Sequence, residues 1–379
     1  DDDWSLPHRQ MVAQAVLHKI AAAFSILGSV IIAYEVFLEH RKGMQSPKSR
    51  ILAGLSLADI IVSFGWFLST WPAPEETTDY VWGARGTTGT CTLQGFLVQL
   101  GHVATPMYNL VLAWFYLLMV RYNWSDARLR KSERWVHAVI WLISLVSSIY
   151  PLFWKMYNNA WQICWLEPYP SYCLNSYEHG ADATCTRGDN ANLHALFFTI
   201  FPVWPCIIGS MIIMLLLFLK VRAVEKQMAR YAGSTQSVAM PASSRRSSVR
   251  RLSFIAPPPP PPKDAEQEQL VQHQQVVNRQ RSRQVGWQAI WYVVAFFLTH
   301  ILGMIANMMY TLNDSFFNYW FDLFAYFFLP LQGFLNFIVF LRTQSQMQST
   351  VGKMAVYLLC CRGEVPRTTT NHITKVGGH

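Results

Sequence analysis

Gln99, His102, Pro106 and Asn109 recur at steps of three and four residues inside an otherwise apolar stretch. At about 100° per residue they fall within roughly 80° of one another around a helix. By the same geometry His300, Gly303 and Asn307 fall within about 60° in a later apolar stretch, and Asp322, Gln332 and Asn336 within about 80° in the last one. Amide, imidazole and carboxylate groups in such surroundings work through hydrogen bonds and charge. They hold helices together, hold a ligand, or support a switch between helix packings. Asp59, in another apolar stretch, is placed to complete an interior hydrogen-bonded network with Asn336.

The elements that carry these residues follow from composition. Hydrophobic residues make up 52% of the 379-residue chain and charged residues 14%, roughly half the charged share of soluble domains. Seven apolar stretches, at 14–38, 51–71, 95–120, 135–154, 193–219, 286–311 and 318–341, each reach the ~20 residues that span a bilayer. All seven are expected to be helices, because a helix satisfies its backbone polar groups within one segment. The expected fold class is an all-α membrane protein: a seven-transmembrane helix bundle over 14–341, with a short N-terminal segment, 1–13, and an amphipathic helix in the tail, 342–379.

Orientation follows from the basic residues, which are retained near span ends on the cytoplasmic side. The segments 39–50, 121–134, 220–285 and 342–379 hold 26 Lys and Arg, the opposite set 5, and without the long 220–285 loop the ratio is still 14 to 5. The N-terminus is therefore expected outside and the C-terminus in the cytoplasm of a multi-pass plasma-membrane protein. The net charge of +9 is a topology signal that also favours anionic lipid headgroups, and it does not point to nucleic acid. The chain begins at Asp1 without Met, which reads as a processed or truncated start, with the first span acting as its own insertion signal.

Topology divides the remaining chemistry between the two sides. Gln99, His102 and Asp322 lie towards the outside and are expected to line a ligand pocket; Asp59, Asn109, His300, Asn307, Gln332 and Asn336 lie deeper and suit an intramembrane switch. Cys91, Cys164, Cys173 and Cys185 lie outside, where disulfides persist, and four cysteines allow three connectivities. Cys206, within the fifth span, reads as a small buried apolar residue. The third cytoplasmic loop, 220–285, carries Ser248 and Ser253, each after an Arg-Arg pair at the spacing of basophilic kinase sites, in a run expected to be disordered. Six prolines, Pro257 to Pro262, form a polyproline segment. Kinases, arrestin-like proteins and proline-binding proteins are thus candidate partners at 245–262. Cys360 and Cys361 follow an amphipathic segment and are expected palmitoylation sites.

Cys91 at the outer start of the third span and the pair Cys164-Trp165 in the second external loop resemble the layout of seven-helix G-protein-coupled receptors. Leu331-Gln332-Gly333-Phe334-Leu335-Asn336 is similar to the Gln-Gly-Phe motif of the secretin-like group, while the short N-terminus resembles the cyclic-AMP-receptor-like group of lower eukaryotes. Leu55-Ser56-Leu57-Ala58-Asp59 resembles the second span of rhodopsin-like receptors, but the seventh span has no Asn-Pro-x-x-Tyr and Val120 precedes Arg121 where that group has an acidic residue. The resemblance implies a disulfide between Cys91 and Cys164, leaving Cys173 to Cys185, and places Trp165 at the ligand pocket. It also implies a heterotrimeric G protein as partner, contacted through Arg121, Tyr122, Arg128, Arg130 and Lys131, and an extracellular small molecule or peptide as ligand.

Other functions find less support in the residues. Residues 318–341 contain no Lys to form a retinal Schiff base. A transporter is the alternative, but the internal repetition typical of that class is absent from the sequence. The cytoplasmic segments carry no phosphate-cradling glycine loop, metal-ligand cluster or nucleophile–base pair, so the chain is expected to be a non-enzyme without cofactor or metal.

Overall fold

The computed structural model describes residues 7–44, 46–77, 81–160, 162–170, 173, 185–238, 286–306, 309 and 318–343. Asn307, Ser248, Ser253, Pro257 to Pro262, Cys360, Cys361 and the amphipathic tail segment lie outside the described residues. The chain divides into two compact units, Asp1–Val339 and Phe340–His379. The bundle interior lies in the first, and of the second, residues 340–343 are helical.

Among the described residues, seven helices are long and apolar enough to cross a membrane. They are α1 (His8–Arg41), α2 (Pro47–Leu68), α3 (Thr88–Tyr122), α4 (Asp126–Phe153), α5 (Ala191–Ala195, a π-helical turn Leu196–Ile200, then Phe201–Val238), α6 (Gly286–Ala306) and α7 (Tyr319–Phe328, a 3-10 turn Leu329–Leu331, then Gln332–Thr343). Local chemistry sets several boundaries. Ser46 caps α2, accepting from Ser49 N at 3.3 Å, with Pro47 at the first helical position, where its missing N–H costs nothing. Thr87 and Thr90 form a reciprocal capping box at the start of α3, and Asn123 ends it in the left-handed region at φ 53°. These caps lengthen the helices beyond their apolar cores. α3 begins at 88 instead of 95, and α1, whose start has no side-chain cap, begins at residue 8 instead of 14, so 8–13 of the expected N-terminal segment are helical.

The all-helical expectation needs one amendment. After α4 the chain forms an antiparallel hairpin, β1 (Tyr157–Ala160) with β2 (Ile163–Leu166), pairing Asn158 with Trp165 and Asn159 with Cys164. The hairpin and the 69–87 loop lie at the same end of the bundle, here termed the hairpin end. The turns at 42–44 and 123–125 lie at the opposite end.

The outer surface is apolar. On α1 alone Val16, Ile20, Phe24, Leu27 and Tyr34 are exposed at helical spacing, a stripe that a water-soluble monomer rarely presents. Polar side chains turn inward instead, among them Ser25, Asp59, Gln94, Gln99, Thr105, Thr299, Gln332 and Asn336. α1 and α7 approach closely at Gly28 and Gly333. A Cβ at Gly28 would lie 2.9 Å from Gly333 O, and one at Gly333 would lie 2.0 Å from Ser29 Oγ. That closeness lets Ser25 Oγ accept both from Gly333 N (2.9 Å) and from Ser63 Oγ (2.9 Å), joining α1, α2 and α7.

Candidate functional site: an aromatic cap over a buried polar network

The hairpin is fixed to α3 at three points. Cys91 is joined to Cys164 by a disulfide. Gln94 accepts from Cys164 N through Oε1 at 3.0 Å, while its Nε2 donates to Gly65 O (2.9 Å) and Ser69 O (2.7 Å). One side chain thus meets two carbonyls at the end of α2, where no intrahelical donor remains, and one strand N–H. The third point is Trp165, whose indole N–H donates to Gln99 Oε1 at 2.8 Å and whose ring meets His102 edge-on at 5.5 Å. Gln99 Nε2 donates in turn to Phe198 O and Thr199 Oγ1, both at 3.0 Å, in the π-helical turn of α5. Such turns recur at functional sites. A second disulfide joins Cys173 to Cys185.

Around the hairpin, Asn158 Nδ2 donates to Glu167 O (2.7 Å) and Asn158 Oδ1 accepts from Arg187 Nε (2.8 Å). Desolvation pushes the Glu167 carboxyl up to about 7. The same cause raises the phenol of Tyr157, which donates to Ser148 O at 2.8 Å.

Below Trp165 lies a cavity of about 10 Å3, lined by His102 and Thr105 of α3, Val62 and Trp66 of α2, His300 of α6, and Leu329 and Gln332 of α7. That is the room of one water molecule. A hydrogen-bonded chain runs from its lining through four helices. Thr299 Oγ1 contacts His300 Nδ1 at 2.9 Å and donates to Gln332 Oε1; Gln332 Nε2 donates to Asn336 Oδ1 (3.0 Å); Asn336 Nδ2 donates to Asp59 Oδ2 (3.0 Å). Asp59 Oδ1 accepts from Thr105 Oγ1 at 3.0 Å, and Asn109 Nδ2 donates to Thr105 O at 3.0 Å. Every member is buried, so each bond is made in a setting where an unmade one is costly. Gln332 and Asn336 lie one turn apart on the same face of α7, in the α-helical segment that follows the 3-10 turn at Pro330.

The structure thus brings together Asp59, Asn109, His300, Gln332 and Asn336 on one network. It also brings Gln99, His102 and Trp165 together at the cap. The hydrogen-bonding groups of Gln99 are taken up by Trp165, Thr199 and Phe198, so Gln99 acts as a strut between hairpin and α5. Asp322 is buried on the first turn of α7, beneath the capping Asn318.

At the opposite end Arg121 and Tyr122 are exposed on the last turn of α3, the guanidinium 5.8 Å from the Tyr122 ring. Arg128 lies 3.8 Å over the Trp124 ring, and Arg130 and Lys131 are exposed on α4. Sequence reasoning missed the partner of another cation nearby. Arg50 of α2 donates through Nε and Nη2 to both carboxylate oxygens of the buried Glu133 on α4. One turn along α4, His137 Nδ1 meets Tyr108 Oη at 2.8 Å.

No family model matches the chain. A receptor named for ascarosides from the fungus Arthrobotrys oligospora is 24% identical over 169 residues, which cover 44% of this chain and 39% of that protein. The crystal structure of squid rhodopsin superposes with a TM-score of 0.55 at 13% identity, covering 95% of this chain and 89% of that one. A similarity of that kind carries the fold and leaves the chemistry to the residues. The chain is a multi-pass membrane protein with a seven-helix fold like that of G-protein-coupled receptors.

Proposed function

We propose that the chain is a cell-surface receptor: it takes an extracellular small molecule or peptide at the hairpin end and activates a heterotrimeric G protein at the other. The observation that carries this reading is the buried chain Thr299–Gln332–Asn336–Asp59–Thr105, which ties α6, α7, α2 and α3 together below the Trp165 cap. A ligand that binds one arrangement of these helices better than another shifts the protein towards it. The excess of basic residues at the opposite end supports a cytoplasmic location for that end, and the disulfides at the hairpin end suit an oxidising exterior. The fungal relative's name, a receptor for ascarosides, supports the receptor class.

Coupling is assigned to Arg121 and Tyr122, with Arg128, Arg130 and Lys131 beside them. The exposed Arg121 guanidinium presents a planar fork that holds two oxygen acceptors at once. Guanine-nucleotide exchange on purified heterotrimers, measured with the chain in nanodiscs against empty nanodiscs, tests the proposal. Exchange is expected above the empty control and, by loss of a charge-assisted hydrogen bond, about tenfold slower in Arg121→Ala. No stimulation with any heterotrimer class refutes coupling. Normal exchange by Arg121→Ala at equal protein density moves the contact elsewhere.

A further inference from the structure

At the hairpin end, α1 carries enclosed polar atoms that the network does not use. Gln14 and His18 lie four residues apart on one helix face, 5% and 0% exposed, and neither Gln14 Nε2 nor either ring nitrogen of His18 has a hydrogen-bond partner among the described residues. The imidazole sits 5.5 Å from the Trp66 ring of α2 and 6.3 Å from Tyr326 of α7. Trp66 Nε1 is enclosed and unpartnered as well. The next residue, Lys19, turns its ammonium 4.0 Å over the Trp71 ring and 5.8 Å from Trp82. Its Nζ is enclosed without a hydrogen bond, and no carboxylate among the described residues pairs with it.

These groups are strongly biased towards donation. The Lys19 ammonium, the Gln14 amide nitrogen and the Trp66 indole only donate, and a neutral His18 offers one donor and one acceptor. Four enclosed donor groups against one acceptor on these side chains complement a group rich in lone pairs. A carboxylate supplies about four lone-pair sites together with a charge opposite to that of Lys19. The walls are rings, so the remainder of such a ligand is apolar. Asp322 lies one turn before Tyr326 on α7, so a negative head belongs at the α1 side, beside Lys19 and away from that carboxyl.

We infer that the cluster of Gln14, His18 and Lys19 on α1 with Trp66 of α2 and Tyr326 of α7 binds a small amphiphilic carboxylate, its head at Lys19 and its apolar body against Trp66 and Tyr326. Trp66 also lines the cavity beside His102 and His300, so an occupant bears on the network through one shared ring. The inference rests on the receptor proposal only for the side from which the ligand arrives.

Binding is measured without a G protein, so its failure is separate from failure of coupling. The purified chain in phosphatidylcholine nanodiscs is titrated with octanoate, and with octanol and octylamine, which keep the chain length and change the head. Saturable octanoate binding is expected, with neither analogue competing. Losing one charge-assisted bond in Lys19→Gln weakens it about 10- to 100-fold. Lys19→Arg, which keeps the charge and donors, stays within about threefold, and His18→Phe, which keeps the ring stack, weakens binding as well. Thermal unfolding of each variant checks folding, and the comparison of heads on the parent protein needs no variant. Oleic acid placed in the bilayer separates two sources. Displacement of octanoate assigns the carboxylate to the membrane, and retention assigns it to the aqueous side. Absent saturable binding, equal competition by octanol, or unchanged affinity in both Lys19→Gln and His18→Phe overturns the inference.

Discussion

Truncating Asn336 to Ala removes two hydrogen bonds at once, because its amide donates to Asp59 Oδ2 and accepts from Gln332 Nε2, both at 3.0 Å. Two magnitudes compete. In a water-soluble core, each buried group left unpaired costs about 1–3 kcal/mol, so two would cost about 2–6 kcal/mol. In a bilayer, interhelical hydrogen bonds average only about 0.6 kcal/mol and reach about 1.7, since polar groups also find partners when the helices separate within the membrane. The second scale applies, because the helices of this chain stay in the membrane when they separate. Only the bond to Asp59 crosses between helices, the one to Gln332 lying within α7, so Asn336→Ala is expected to cost about 0.6–1.7 kcal/mol. A double-mutant cycle with Asp59→Ala isolates the Asp59–Asn336 bond, with a coupling of about 0.6–1.7 kcal/mol. Reversible unfolding of the four proteins in mixed micelles reads these values. A coupling below about 0.3 kcal/mol, within the scatter of independent sites, would show that the bond does not tie α2 to α7.

Other perturbations test the cap and the packing. Glu167, raised from an ordinary 4.5 to about 7 by desolvation, holds a proton in the folded state that the unfolded chain releases. The stability this gives is full below about pH 4.5 and is lost as pH rises through about 7. Melting temperatures of parent and Glu167→Gln at pH 5 and pH 8 should therefore differ more at pH 8, the parent being the one that falls. Breaking the 73-residue link from Cys91 to Cys164 with Cys91→Ser and Cys164→Ser together should lower stability by about 2–4 kcal/mol. Peptide maps of the unreduced parent showing Cys91 joined to Cys173 or Cys185 would contradict the pairing. Gly333→Ala would place a methyl 2.0 Å from Ser29 Oγ and 2.7 Å from Ser25 O; forcing α1 from α7 should cost about 1–3 kcal/mol, seen as a lower unfolding midpoint, whereas an unchanged midpoint would show that the contact yields freely.

Helical spacing was enough to find the network's amides and carboxylate. A Gln or Asp inside an apolar stretch has nowhere to turn but inward, and residues at steps of three and four share a face. Thr105 and Thr299, which close the chain at both ends, were overlooked because a threonine in an apolar helix gives no polarity contrast. Gln94 lies about 140° from Gln99 around α3, off the stripe, and its partners are carbonyls and an amide that no side-chain pattern reveals. The Arg50–Glu133 pair spans 83 residues, and reading Arg50 only as a topology signal hid it. The hairpin escaped notice because its two strands are four residues each, too short for an alternation to stand out. The enclosed cluster on α1 was equally invisible: Gln14, His18 and Lys19 lie in the outer turns of a span, where polar residues are ordinary, and only the rings of Trp66, Trp71 and Tyr326 reveal their enclosure.

Gln99 is where the cap and the helices are most directly exchanged for one another. Its Oε1 has two donors in reach, Trp165 Nε1 at 2.8 Å and Thr199 Oγ1 at 3.2 Å. Moving the hairpin away from α3 would break the first bond without leaving the oxygen unmet, because the Thr199 hydroxyl can take it over. That substitution removes most of the penalty an unpaired buried carbonyl would impose, and it adds to the tie of α3 to α5 that Gln99 Nε2 already makes. The receiving segment is the π-helical turn Leu196–Ile200, whose i→i+5 bonding differs by one residue from the α-helix on either side, so a small register change there needs few bonds to be remade. A ligand wedged against Trp165 would gain leverage on α5 only through the difference in its affinity for the two arrangements. An exchange that leaves the Gln99 oxygen paired lowers the difference in affinity such a ligand would need.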